Sequence, residues 1–373
     1  MRTLLINCLL FVVAFLSACT PKSESHYPEC KNVVEISENE PAVEYFTLKK
    51  IDLPVKYAGG EYFVYNDSIA IIVNSKNPQS FIVTFYNLNT KEEIAGYFKK
   101  GNGPSEMLNV AADLKRNYLY VSDYSLNTDT RVNIDSVLIK KNDYAPVFVH
   151  FDSSIRSDAF EYVADDTITA INEWYMKGFG ASELPEFVQY DAKTGEPFAE
   201  IEENTDIYPG TPYGRSMAYT NAGYIVFWAR FPVVTVYDKS FKMTKIYKDP
   251  YYDFPKLTQV NNSPMLWEDG DSFFFNFGTQ TNNFIFANSP RFRVPSGNSK
   301  IEFYKSQDFA KKLYEKYEIF CFDNNFNLVR RFKPQNGIIY PHGISYCEQS
   351  GNMYITSMDE DEDYCLYKCI FEK

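Results

Sequence analysis

The chain has 373 residues and a formal net charge of −12, and it is 45% hydrophobic and 17% aromatic, with 30 Tyr and 31 Phe. So acidic a surface excludes nucleic acid and anionic lipid as main partners, because both are held by basic surfaces. The aromatic load suits a pleated, half-buried surface, so strands are favoured over helices.

The N-terminus opens with Arg2 and an apolar run from Leu4 to Leu16, broken only by Asn7 and closed by Leu16-Ser17-Ala18-Cys19. A basic start, a short apolar centre and small residues at the cut define a secretory signal over residues 1–18. The run is too short to span a membrane, which takes about 20 apolar residues. "LSAC" resembles a bacterial lipobox, which implies that Cys19 becomes the lipid-modified first residue of the mature chain and attaches it to a membrane. Residues 19–42, with Pro21, Pro28 and Pro41 among polar residues, read as a tether. Within it Lys22-Ser23-Glu24 loosely resembles the charged export signal of Bacteroidetes surface lipoproteins, without its run of acids. Of seven cysteines, five remain once Cys8 is removed and Cys19 acylated. An odd number leaves at least one unpaired, and apolar surroundings mark Cys321, Cys347, Cys365 and Cys369 as buried free thiols.

From Val43 onward a unit repeats. Paired apolar runs joined by a polar turn occur at Glu61–Asn74, Leu108–Asp123, Asp158–Glu173, Ser216–Arg230, Met265–Gly278 (around Asp269-Gly270) and Ile344–Met358. Each is followed by a further strand, read at Tyr86, Ile139 ("SVLIKKND"), Tyr190, Tyr237, Phe322 and Tyr367. Five of the six then run into one more short strand, and the sixth is completed from the other end by Val43–Leu53. Four-stranded units at a spacing of about 50 residues predict an all-β, six-bladed β-propeller over residues 43–373. Its blades are antiparallel, and the N-terminal strand closes the last one. A β-sandwich is the alternative topology. One spacing is long, between Tyr237 and Phe322, and predicts an insert at about 279–316 in the fifth blade. There "SQDFAKKLYEKYE" places Phe309, Leu313 and Tyr317 on one helical face with Ser306 as cap.

Gly101-Asn102-Gly103-Pro104-Ser105-Glu106 stands at the corner after the first unit. It fails as a dinucleotide loop because Glu106 occupies the third glycine position, and as a Walker loop because its lysines precede the glycines. It reads as a structural turn in which Gly101 and Gly103 allow positive φ, Pro104 sets the exit and Glu106 accepts backbone N–H bonds. Together with the lipobox, this G-x-G-P-x-E turn is similar to that of the TolB-like six-bladed propeller lipoproteins of Bacteroidetes. The resemblance implies a lipid-anchored propeller of the cell envelope, held at the outer membrane, and names no reaction.

No Cys/His spacing matches a zinc site, and the three histidines are scattered. No cofactor is expected, with Ca²⁺ the one candidate. Six-bladed lactonases hold Ca²⁺ with oxygen ligands at the channel mouth. The candidate channel or ligand residues are His342, in "YPHGISY", and Asp359 and Asp361 in the acidic tip 359–363. Gly214-Arg215-Ser216-Met217-Ala218 is a near miss to a nucleophile elbow but leads into a hairpin. The triplets at Asp67-Ser68-Ile69, Asp135-Ser136-Val137 and Asp166-Thr167-Ile168 resemble the Bacteroidetes O-glycosylation acceptor, which makes Ser68, Ser136 and Thr167 candidate modification sites. The favoured function is a non-enzymatic module binding a glycan, peptide or envelope protein. The alternative is a Ca²⁺-dependent lactonase- or esterase-like hydrolase.

Overall fold

The structure is a computed structural model that describes residues 30, 32–37, 40–53, 60–76, 81–123, 125–126, 128–150, 157–172, 187–201, 215–229, 232–251, 257–258, 266–267, 275–291, 312, 314–338, 340–359 and 363–372. The signal segment 1–18 and Cys19, Asp361, Ser306, Phe309 and Leu313 lie outside them.

The described strands sort into four-stranded antiparallel groups. The first is Glu61–Tyr65, Ile69–Val73, Val83–Asn87 and Glu93–Tyr97. The second is Val110–Lys115, Tyr118–Asp123, Thr128–Asn133 and Val147–His150. Ser157–Ala164, Thr167–Asn172, Phe187–Asp191 and Pro197–Ile201 form the third. The fourth comprises Arg215–Thr220, Gly223–Trp228, Val233–Tyr237 and Met243–Lys248. Asn276–Gln280, Phe284–Ser289, Glu318–Asp323 and Leu328–Pro334 make the fifth. In the sixth, His342–Cys347, Asn352–Met358 and Tyr364–Phe371 are joined by Val43–Lys50 from the far end of the chain.

Tight turns set the registers. Asn66 and Asp67 both hold positive φ (49° and 57°), the geometry of a two-residue hairpin turn. At Gly223 (φ 131°) a side chain would run into the Tyr237 carbonyl. Strands packed on both faces lose the usual alternation and become continuous apolar runs. Ile69–Val73 and Gly223–Trp228 are buried at every position.

The groups pack face to face in cyclic order. Phe63 and Ile71 of the first meet Leu119 and Val121 of the second. Tyr120 meets Phe160 and Ile168 of the third. Phe187 of the third stacks edge-on with Tyr237 of the fourth at 5.1 Å. Ile225 and Phe227 join Phe277 and Phe320 of the fifth. Phe286 and Ile319 join Ile344 and Ile355 of the sixth. Finally Tyr354 and Leu366 close on Tyr62 and Ile72 of the first.

Several sequence expectations need correction. The strand expected at Ile139 is a helix, Ile134–Lys140, capped by Asn133 Oδ1 accepting from the Ser136 N–H at 2.8 Å. The third strand of that group is instead the polar Thr128–Asn133. The fifth hairpin is not Met265–Gly278 but Asn276–Gln280 with Phe284–Ser289. Residues 279–289 are therefore strands and turn of the group, not insert, and the longest stretch added within it follows Ser289. Tyr317 is buried in the core. The segment 19–42, read as a tether, is folded at its end. Val33–Glu35 adds a parallel strand to the outer edge of the fourth group at Ile246–Lys248, and Ile36 is buried beside it. Cys321, Cys347, Cys365 and Cys369 are buried and free of disulfides.

Candidate functional site

The first strands of the groups turn towards one another. Those of the first, second, fifth and sixth enclose a cavity of about 560 Å³. Glu61, at the head of "EYFVY", and Asp113, within "VAADLK", bring carboxylates to it from adjacent groups. Phe63, Phe277, Tyr314 and Tyr340 supply aromatic wall, and Asn276 and Asn288 supply amides. The seam between the sixth and first groups is tight at this point. Thr356 Oγ1 accepts from the Tyr62 N–H at 2.9 Å and donates to the Tyr62 carbonyl at 2.8 Å, and Ser345 Oγ accepts from the Val64 N–H. Gly343 (φ 40°) sits there because a Cβ would come within 3.0 Å of the Tyr62 carbonyl oxygen.

A bridge crosses from the second group to the fifth beside the cavity. Lys115 pairs in parallel with Gln280, and Thr279 Oγ1 donates to the Leu114 carbonyl at 2.7 Å. Beyond it the Lys115 side chain is 4% exposed, with Nζ 2.7 Å from Glu161 Oε1 and 4.0 Å from Asp113 Oδ2. The ammonium also lies 4.8 Å from the centres of the Tyr120 and Phe277 rings. Its charge is thus matched by Glu161, and Asp113 receives only a distant share.

Electrostatics follow from this arrangement. Burial, with the Asp113 charge adding to it, pushes the Glu61 carboxyl up to about 7. Burial also raises Asp113, against the pull of Lys115. The Asp113 side chain is nonetheless 46% exposed, because it faces the cavity. Burial and the Lys76 charge lower His342, favouring the neutral ring, whose Nε2 lies 3.2 Å from the Tyr364 hydroxyl.

Residues that follow in the same strands line a second cavity of about 320 Å³. It is rimmed by hairpin tips, with Asn66, Arg116, Asn117, Asn282 and Gln349 at its edge. Arg116 is committed to the Tyr219 carbonyl at 2.7 Å.

Of the residues singled out from sequence, His342 lines the larger cavity. Asp359 lines neither of the two. Its carboxyl accepts from Lys50 Nζ at 2.7 Å and from the Asp363 N–H at 3.0 Å, and Lys50 holds it well below the usual carboxylate range. At the GxGPxE corner, the Gly103 N–H donates to Glu106 Oε2 at 2.9 Å. Neither Gly101 nor Gly103 has positive φ, contrary to expectation. A side chain at Gly101 would sit on the Glu106 carboxylate, so the glycine makes room. Ser216 Oγ accepts from the Phe277 N–H at 2.9 Å and serves the scaffold. Ser68 and Thr167 lie half-buried at hairpin turns, and Ser136 lies in the helix first turn. Glu61, Asp113, Asn276 and Asn288 do not stand out in the sequence. Their only signal is a polar residue inside or heading an apolar strand. Among the described residues no group of three or more His, Cys, Asp or Glu is placed to hold a metal ion.

No family model matches the chain, and no curated protein matches it. Among solved structures, a candidate exported protein of Bacteroides fragilis matches with a TM-score of 0.53 at 12% identity, covering 92% of this chain and 99% of that one. A member of the DUF4221 family from Bacteroides vulgatus matches with a TM-score of 0.48 at 14% identity, over 89% and 97%. The β-propeller domain of a Myceliophthora thermophila protein matches with a TM-score of 0.38 at 10% identity, over 85% and 98%. At such identity the first likeness speaks to fold alone.

Proposed function

We propose that the chain is a six-bladed β-propeller of the TolB-like lipoprotein kind. It is anchored through Cys19 to the outer membrane of a bacterial envelope and binds a ligand in the cavity at Glu61 and Asp113. The cyclic packing of four-stranded groups supports the ring, and the segment ending in "LSAC" supports export and anchoring. The observation that carries the binding role is the convergence of four first strands on one cavity of about 560 Å³, within the range of small-molecule sites of roughly 300–1,000 Å³. The test is a thermal-shift screen of saccharides, short peptides and amines on the protein and on Ala112→Trp, which fills the cavity. A compound that raises the melting temperature of the first and not of the second supports the reading. Shifts that survive in Ala112→Trp, or no shift at all, oppose it.

A second reading, the Ca²⁺-dependent hydrolase, has one observation in its favour: Glu61, Asp113, Asn276 and Asn288 offer side-chain oxygens to the same cavity. Ca²⁺-dependent turnover of a lactone or ester, lost in Ala112→Trp, would establish it.

A further inference from the structure

Taking the cavity as a binding site, we propose that its ligand presents an alkylammonium group, which sits between Glu61 and Asp113 and against the rings of Tyr314 and Tyr340. The charge balance points this way. Two carboxylates face the cavity, and the nearest cation to Asp113, Lys115, is 4.0 Å away and engaged at 2.7 Å by Glu161. Carboxylates turned into a walled space are stabilised by a cation that enters with the ligand, and a neutral occupant would leave them uncompensated. Anions are repelled. The aromatic wall adds attraction specific to a cation, since ring faces carry negative charge. Volume separates an organic cation from a metal ion. Ca²⁺ takes 6–8 oxygens at about 2.3–2.6 Å, a shell far smaller than a space of about 560 Å³.

The groups facing Glu61 set a pH signature. They are Asp113 from the second group, His342 and Tyr364 from the sixth, and Tyr340 and Tyr314 from the loops beside them. Glu61 ionises between pH 6 and 8. His342 is held towards its neutral form and Tyr314 and Tyr364 are raised, so these three bring no charge to oppose it, while burial raises Asp113 in the same direction as Glu61. Amine affinity therefore rises with pH from 6 to 8.

The experiment is isothermal titration of the chain with cadaverine, with the capped tripeptide Ala-Lys-Ala, with its norleucine counterpart and with CaCl₂, at pH 6 and pH 8. Glu61→Gln, Asp113→Asn and Ala112→Trp are titrated in parallel. We expect cadaverine or the lysine peptide to bind, tenfold or more weakly in Glu61→Gln and Asp113→Asn and several-fold more weakly at pH 6, with the norleucine peptide silent. Cadaverine alone marks a free amine as ligand, and the peptide alone marks a lysine side chain. Amine binding unchanged in Glu61→Gln overturns the proposal. So does silence of both amines, and binding of CaCl₂ or the norleucine peptide in an Ala112→Trp-sensitive way would then leave the cavity reading standing. Circular dichroism of each variant separates lost binding from lost folding.

Discussion

Glu61 illustrates how a site residue works against the fold that holds it. Its carboxyl titrates near 4.3 in an unfolded chain and at about 7 in the cavity. The native chain therefore binds this proton more tightly than the unfolded one. Below pH 4 both states are protonated and the group contributes nothing. As pH rises towards 7 the unfolded state gains by ionising first, so stability falls across that window and levels off above it. Glu61→Gln removes the penalty. Its stability towards urea is expected to match that of the parent at pH 4 and to exceed it at pH 8 by about 1–3 kcal/mol, a tenfold change in proton affinity being worth ~1.4 kcal/mol. A midpoint below that of the parent at pH 8 would contradict this account.

At the scale of the element, the helix Ile134–Lys140 is the clearest departure from the repeat. "SVLIKKND" carries the apolar run of a strand, yet Asn133 accepts the Ser136 N–H and starts a helix, which leaves Ile139 82% exposed. Asn133→Ala removes this cap and is expected to cost about 1 kcal/mol in urea denaturation, with the cavity unaffected. The strand that takes its place in the sheet, "TDTRVN", is buried through polar groups. Thr130 Oγ1 donates to the Val147 carbonyl at 2.7 Å, and Thr128 Oγ1 lies 2.9 Å from His150 Nδ1. Burial by hydrogen bonding leaves no hydrophobic pattern to read, whereas "IAIIV" and "GYIVFW" announce themselves because both their faces are covered. The fifth hairpin is misplaced in sequence for a related reason. Asp269-Gly270 is stronger turn chemistry than Asn282-Asn283, and local propensity points away from the pairing that tertiary packing selects. Glu61 and Asp113 are illegible for a different cause. Each looks like an ordinary surface carboxylate until strands from distant parts of the chain converge around it.

At the scale of the molecule, an ion pair and a hydrogen bond fasten Glu44 and Ser37 to the fifth group. Glu318, fully buried, meets Arg331 and Arg291, and Arg291 also meets Asp249 of the strand end beside Val33–Glu35. Arg331 donates onward to the Ser37 carbonyl, and Arg330 grips Glu44 through two nitrogens at 2.8 and 2.9 Å. Glu318→Gln takes the carboxylate from buried Arg331 and leaves Arg291 with Asp249 alone. A loss of about 3–5 kcal/mol is expected, read by urea unfolding, together with earlier proteolysis near residue 37. A loss under about 1 kcal/mol, the ceiling for an exposed pair, would mean that water or other acids replace the carboxylate. Among the described residues, Val43–Lys50 pairs as a strand with residues 331–334 and 367–371. Contacts that far apart in sequence are slow to form, and here they wait first on residues 331–334 and then on residues 367–371. Until then both Val43–Lys50 and the strand edges it covers stay unpaired.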